Sequence, residues 1–275
     1  MKPAEENNRA TPFLKWAGGK RWLVRDHLYL TPSKFNRYIE PFLGSGAVYF
    51  HVDPSAALLG DSNQSLIDAY RGLKRDYKKV LTLLRYHQRN HGDQYYYRMR
   101  ESIPTTLEMQ AARLIYLNRT CWNGLYRVNT NGQFNVLIGS KSSIVREEDD
   151  FAAIAKKLKR AKIKCVDFEK LIDEASKNDF LFVDPPYTVS HNQNAFIKYN
   201  EKLFSWNDQL RLAKAMLRAK KRGVKILGTN AYHKGVIDLY EEDFRIRKVE
   251  RKSVISCTND SRKDYAELVI SANMK

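Results

Sequence analysis

Residues 180–187, Phe-Leu-Phe-Val-Asp-Pro-Pro-Tyr, set an apolar run against an abrupt polar stop. The pattern predicts a buried strand ending at Val183. Pro185 and Pro186 cannot donate to a sheet ladder and hold the backbone extended beyond the strand's carboxyl end. In an open α/β sheet, ligands bind there. In that place the Asp184 carboxylate and the Pro185 carbonyl can stand side by side as acceptors, with the Tyr187 ring at hand. Two adjacent acceptors and a ring suit an exocyclic amine on a nucleobase. Such an amine has its lone pair delocalised into the base and is a poor nucleophile. Accepting both of its N–H bonds favours a pyramidal nitrogen, which can attack a methyl sulfonium in line. Tyr187 can stack on the base once it has left its helix. The plain alternative is a proline-rich turn after a core strand; the strand context and the aromatic at the fourth position favour chemistry. Asp184, Pro185 and Tyr187 are therefore the candidate catalytic residues. No metal is expected, because a sulfonium is already activated and no water needs ionising.

These residues need a sheet to carry them. Asn36 to Phe42 reads as a strand, followed by the turn Gly44-Ser45-Gly46 and a helix from Ala47. Ala56 to Gly60 is a second strand ending on Asp61. Strand, glycine turn, helix, strand and acid in this order form a nucleotide-binding α/β unit. Gly44 and Gly46 let backbone approach a ligand, with a helix N-terminus behind them; a Gly-x-Gly pair alone also fits a tight structural turn. Asp61 can accept from ribose hydroxyls, cap the helix that starts near Asn63, or do both.

From Ser65 to about Arg119 the spacing turns helical, with Leu107, Ala111, Leu114, Ile115 and Asn118 in step. Leu125 to Val136 reads as a β-hairpin turning at Thr130-Asn131-Gly132. Glu147 to Arg160 is helical again. Strands then follow at Ile163–Val166, Phe180–Val183, Val224–Gly228, Phe244–Val249 and Glu267–Ser271, with a helix at Asn207–Lys221. The fold class is α/β: a Rossmann-like sheet domain over residues 11–64 and 151–275, interrupted by a mostly helical subdomain at 65–150 that carries the hairpin. Residues 1–10 read as a disordered tail. Arg251 to Tyr265 reads as a loop that either closes over a ligand or is a solvated hairpin.

The formal charge is +17, and residues 61–160 hold 18 basic against 10 acidic side chains, an excess of +8 in about a third of the chain. Such an excess marks a polyanion partner, since each neutralised phosphate releases counterions, or else simply a basic, solvated surface. Cys121, Cys165 and Cys257 show no metal-ligand spacing and read as reduced thiols. No signal peptide is visible and the longest apolar runs are too short for a bilayer. A monomeric, cytoplasmic protein without a membrane segment is expected.

Four strings together resemble the Dam-type DNA adenine-N6 methyltransferases. Asp184-Pro185-Pro186-Tyr187 resembles motif IV of the amino-methyltransferases. Pro12-Phe13-Leu14-Lys15-Trp16-Ala17-Gly18-Gly19-Lys20 resembles the family's N-terminal signature, and Glu40-Pro41-Phe42-Leu43-Gly44-Ser45-Gly46-Ala47 its cofactor motif I. Leu117 to Arg127, continuing to Phe134-Asn135-Val136, resembles its target-recognition hairpin. The order of motifs is that of the α group. The resemblance spans residues 12–271 and implies an S-adenosylmethionine-dependent methyltransferase fold with an inserted DNA-recognition subdomain. It implies S-adenosylmethionine as cofactor, S-adenosylhomocysteine as product and double-stranded DNA as partner. It assigns the cofactor to Trp16, Ala17, Gly18, Lys20, Glu40, Pro41, Phe42, Gly44, Gly46, Asp61, Asp167, Phe168 and Asp184. Within that set, Lys20 meets the cofactor carboxylate and Trp16 its apolar chain, while Asp167 and Phe168 enclose its adenine; Phe168 can equally be core.

The expected DNA contacts are Lys15, Arg119, Trp122, Asn123, Leu125 and Arg127. Arg127 can give guanine O6 and N7 a bidentate bond or contact phosphate only. Trp122, with Asn123 beside it, can fill the gap left by a flipped adenine. Leu125 can touch a thymine methyl or pack in the hairpin. By the resemblance, Lys15 reads the first guanine. Members reading GATC usually carry proline where this chain has Leu137, and a basic-aromatic stretch where it has Ser140 to Ser143. A target beginning GAT follows, with GATC the best match and GATATC the other. Two further readings share parts of this pattern. An RNA adenine or protein amide methyltransferase is disfavoured by the recognition hairpin, and in the amide enzymes by Asp rather than Asn at position 184. A DNA-binding regulator without catalysis is disfavoured by the intact motifs.

Overall fold

The computed structural model describes residues 10–129, 131–187, 204–251 and 265–274. In chain order these form α1 (Arg21–Asp26), β1 (Tyr38–Glu40), α2 (Ala47–Val52), β2 (Ala57–Asp61), α3 (Gln64–Asn90), α4 (Asp93–Glu101), α5 (Leu107–Thr120), α6 (Phe151–Leu158), β3 (Ala161–Cys165), α7 (Phe168–Asp173), β4 (Phe180–Val183), α8 (Trp206–Lys221), β5 (Lys225–Ala231), α9 (Lys234–Tyr240), β6 (Arg245–Arg251) and β7 (Tyr265–Ala272). The α/β class read from the sequence is the class observed. The tail at 1–9 and the loop at 252–264 lie outside the described residues, whereas Ala10, included in the expected tail, is buried.

The described residues fall into two compact units, one drawn from Met1–Leu28 and Leu43–Cys165, the other from Tyr29–Phe42 and Val166–Lys275. These divisions do not follow the expected 65–150 insertion. The reason lies in packing: α3 lies against β2, β3, α5 and α6, so one core holds strands and helices together.

In the first unit β2 and β3 pair in parallel from Ala57↔Ala161 to Asp61↔Cys165. α3 begins where the Asn63 side chain accepts from Leu66 N, and it kinks at Asp76, whose φ of −152° is not helical. α3 and α5 approach at Gly72, where a Cβ would run into the Leu107 carbonyl. Leu66, Ile67, Tyr70, Leu73, Val80 and Leu84 bury one face of α3. At about 1.5–3 kcal/mol for each large apolar side chain, that face is the main force holding the helices. α6 starts at Phe151, not Glu147, because the Asp150 side chain caps it by accepting from Ala153 N. Residues 125–136 double back with a single bridge, Val128↔Phe134, rather than two ladder strands. Asn129 explains this: its side-chain oxygen takes the N–H groups of Asn131 and Gln133, closing a tight turn locally. Thr130, part of the expected turn, lies outside the described residues.

In the second unit β1, β4 and β5 run parallel, and β7 lies antiparallel between β5 and β6. β4 is buried along all four residues and ends at Val183, as the sequence predicts. α8 opens with a capping box in which Ser205 and Asp208 bond each other's backbone N–H. Arg37 closes the opposite end of β4 by a bidentate bond to buried Asp179.

Candidate active site and candidate DNA interface

At the end of β4 two side chains of the second unit are held by hydrogen bonds from β5 and β7. Asp184 follows the last β4 residue, and its Oδ1 accepts from the Thr229 hydroxyl at 2.8 Å. Tyr187 donates its phenol proton to Glu267 Oε2 at 2.7 Å. Burial pushes the Tyr187 phenol well above its ordinary pKa, and the charges of Asp184 and Glu267 add to this. The ring is thus a neutral hydrogen-bond donor at any ordinary pH. Thr229 lies on β5 opposite Val269, and Ala231 lies opposite Glu267. Residues two apart on a strand share a face, so Thr229 and Glu267 rise from the same side of the sheet.

Glu40, at the end of β1, is buried and accepts from the Tyr38 hydroxyl at 3.0 Å. Pro41 is buried and Phe42 half-buried. The Phe42 ring stacks on Phe168 at 5.3 Å and 26°, and Phe204 meets it edge-on at 5.6 Å. Phe168 is therefore buried within an aromatic cluster. Asp167 caps α7 through Glu169 N and also accepts from Arg211 Nη2 at 2.8 Å, while the Arg211 guanidinium lies 4.8 Å over the Phe168 ring.

The first unit holds the glycine turn. Gly44 and Gly46 have φ of +48° and +65°, the left-handed region where a side chain is strained. A Cβ at Gly44 would meet Trp16 at 3.0 Å, and one at Gly46 would meet the Tyr70 hydroxyl at 2.9 Å. Tyr70 donates to Gly44 O at 3.0 Å. Asp61 accepts from Gly44 N at 3.1 Å and from Asn63 N at 2.9 Å. Burial pushes the Asp61 carboxyl up from its usual range, and the N–H bonds from Asn63, Gly44 and Ser62 pull it back. Asn63, not Asp61, caps α3; the helix-capping alternative for Asp61 is corrected, and its bonds from Gly44 N and Asn63 N also brace the glycine turn. Trp16 stacks on Tyr126 at 4.9 Å. Lys20 is buried and donates to Gly18 O at 3.0 Å, while Ala17 and Gly18 are exposed.

The segment after α5 places several of the expected DNA-contact residues at the surface. Trp122 is 57 % exposed and Leu125 40 %. Asn123 and Arg127 are exposed too, Asn123 with a φ of +54°. Trp122 N donates to Leu137 O at 2.9 Å and Gly139 N to Thr120 O at 2.7 Å, which fixes the loop's base. Arg127 Nε donates to Asn135 Oδ1 at 2.9 Å. Lys15 is clamped to this segment by Asn118: Lys15 N donates to Asn118 Oδ1 at 2.9 Å, and Asn118 Nδ2 donates to Lys15 O at 2.8 Å. The Lys15 ammonium bonds Asn123 O.

Arg119 departs from expectation. It is 3 % exposed and forms a bidentate pair with Asp149 at 2.5 and 2.7 Å, with further bonds to Phe13 O and Ile144 O. It holds the chain together rather than facing DNA, and the expected contact is corrected. Its position was a clue: it lies four residues after buried Ile115, on the inner face of α5. Sequence reasoning also missed Asn118, Tyr126, Thr229 and Glu267 as site residues. Asn118 could have been found, as a polar residue in step with Leu114 and Ile115; Thr229 and Glu267 carry no local signal.

With the motifs placed, the chain's class is settled by comparison. The family of D12 class N6 adenine-specific DNA methyltransferases matches residues 16–255, and the chain belongs to it. Among its relatives, it is 36 % identical to the Type II methyltransferase M1.LlaDCHI of Lactococcus lactis subsp. cremoris, covering 94 % of both chains. It is 34 % identical to the Type II methyltransferase M.MjaIII of Methanocaldococcus jannaschii, over 92 % of this chain and 95 % of that one. The DNA adenine methylase of Haemophilus influenzae is 32 % identical over 94 % of this chain and 92 % of its own.

The family implies S-adenosylmethionine, and the residues present fit it. The glycine turn leaves backbone where a Cβ would clash, and Asp61 is a half-buried carboxylate at the end of β2, of the kind that binds ribose hydroxyls. Among the described residues no group of three or more His, Cys, Asp or Glu is arranged to hold a metal, and no helix is long and apolar enough to cross a membrane.

Proposed function

We propose that this chain methylates N6 of an adenine flipped out of duplex DNA, within a target that begins GAT and is best matched by GATC. The observation that carries the reading is the end of β4, where Asp184 is oriented by Thr229 and Tyr187 by Glu267.

S-adenosylmethionine supplies an activated methyl group and leaves as S-adenosylhomocysteine. Trp16, Ala17, Gly18, Lys20, Gly44, Gly46 and Asp61 are the residues assigned to it, with Glu40, Pro41, Phe42, Asp167 and Phe168. The chain's own contribution is orientation. Asp184 and the Pro185 carbonyl accept the two N–H bonds of the adenine amine and free its lone pair. Tyr187 offers its ring face to the base. The proton that the amine gives up goes to Asp184 or to water. Lys15, Trp122, Asn123, Leu125 and Arg127 form the DNA-reading set; Asn135 holds Arg127 Nε and so fixes the plane of its fork.

Asp184→Ala should lose roughly a thousandfold or more in kcat, the scale for removing one positioned polar group from a reaction centre. Its affinity for duplex DNA should stay within about threefold. Normal methylation by this variant would overturn the site assignment. Sequencing of modified adenines in DNA from cells expressing the protein reads the target; modification outside GAT contexts would refute the recognition assignment.

A further inference from the structure

We propose that Glu267 is a positioning residue for the reaction: through the phenol of Tyr187 it locks the ring at the angle at which a flipped base stacks. The inference rests on the adenine-methylation reading and extends it to a residue eighty positions away in the chain.

A tyrosine that serves as a stacking platform has two torsions to fix. The short Asp184-Pro185-Pro186 run restrains the backbone at one end. Nothing in that run restrains the far end of the ring. Glu267 does so, accepting the phenol proton at 2.7 Å. A carboxylate that accepts an O–H bond forms a stronger and shorter contact than a neutral acceptor. Glu267 is itself held firmly: it is 6 % exposed, and its backbone lies between Ala231 of β5 and Val249 of β6. A carboxylate this buried is costly unless paired, and the Tyr187 phenol pairs it.

The register supplies a second link. Thr229, which orients Asp184, and Ala231, which faces Glu267, are two residues apart on β5. The acceptor for the amine and the platform for the ring are therefore tethered to one strand pair, at a spacing the β5–β7 register sets. A slip of one residue in that register would turn Glu267 to the face opposite Thr229 and separate the two tethers. Burial and the neighbouring charges keep the Tyr187 phenol protonated, so the tether does not open across the working pH range.

The test is a double-mutant cycle in the full-length protein, with single-turnover methylation of a duplex substrate as readout. Hydrogen bonds to charged groups are worth enough to change a rate about ten- to a hundredfold. Tyr187→Phe and Glu267→Ala should each lower kcat by that factor and leave KM for DNA within about threefold. The double variant should be no slower than the worse single one, since both remove the same tether. Glu267→Gln, which keeps a neutral acceptor and the side-chain volume, should recover most of the rate, and it guards against a variant that merely folds poorly. A duplex with 2-aminopurine at the target position reports stacking directly: its fluorescence in the complex should rise in Glu267→Ala as the ring loses its fixed angle. Losses that multiply in the double variant, or a Glu267→Gln as slow as Glu267→Ala, would overturn the proposal while leaving the methylation reading intact. A wild-type protein that transfers no methyl group to adenine in duplex DNA would overturn both.

Discussion

Replacing Arg119 is the perturbation that separates a structural arginine from a DNA-reading one. The guanidinium is 3 % exposed and bonds both oxygens of Asp149, with Phe13 O and Ile144 O completing its partners. Arg119→Met keeps much of the volume and removes the charge, leaving Asp149, itself shielded from water, without its counterion. Breaking one side of a buried pair costs about 3–5 kcal/mol. Asp149 keeps its bond from Arg146 N, which argues for the lower half of that range. In a chain of this length each kcal/mol moves the melting temperature by about 2 °C, so a fall of roughly 6–8 °C is expected by calorimetry. Arg119→Met/Asp149→Leu removes the stranded charge and should recover part of the loss, since a buried pair replaced by apolar side chains is often neutral. Below the transition, duplex affinity and its salt dependence should match wild type within about threefold. An unchanged melting temperature with affinity down tenfold would mean that Arg119 does touch DNA, and the reasoning from burial would fail.

Two further outcomes test other parts of the helical region and the segment that follows it. Burial pulls the pKa of His87, whose ring stacks on Tyr116 and bonds the Tyr95 hydroxyl at 2.5 Å, from 6.5 to about 4. The unfolded chain takes up the proton first, so the stability contributed by the neutral ring is complete above pH 6.5. It is lost as pH falls towards about 4, by about 3 kcal/mol in all. Urea unfolding at pH 7.5 and 4.5 should show wild type losing more stability than His87→Gln; equal losses would sink the assignment. Arg127→Ala should lose about ten- to a hundredfold in affinity for the cognate duplex, and little for a scrambled one. Anisotropy titrations that fall equally on both duplexes, with the salt slope reduced by about one, would make Arg127 a phosphate contact instead.

What the sequence made legible is what the chain encodes locally. The apolar run stopped by two prolines placed the end of β4 to the residue, and the glycine turn with Asp61 after it placed a strand-turn-helix-strand unit. Long helical spacing announced α3 and α5. Boundaries went astray where a side chain decided them: Asp150 started α6 four residues later than the spacing suggested, and Asn129 closed a turn where ladder strands were expected. The partners of the site were not legible at all. Thr229 is 45 residues from Asp184, and Glu267 is 80 from Tyr187. Only the β5–β7 register brings them to one face, and no spacing in the sequence encodes a register between strands.

Arg119 and Arg127 show why motif membership alone misassigns a charge. Both fall within one string that resembles a recognition hairpin, and both are the residue type that reads guanine. Arg119 lies on α5, where Ile115 one turn earlier already points to the core, and a carboxylate thirty residues on waits for it. Arg127 follows the helix's end by seven residues, on a segment whose backbone pairs only across a turn, so its side chain has no interior to enter. An arginine in step with a helix's apolar face is therefore to be read first as a buried tie that needs an acid. One beyond the helix, with an amide holding its Nε, is to be read first as a fork presented to a partner. Applied before the structure, that rule would have separated the two and predicted an acidic partner for Arg119 in the chain that follows.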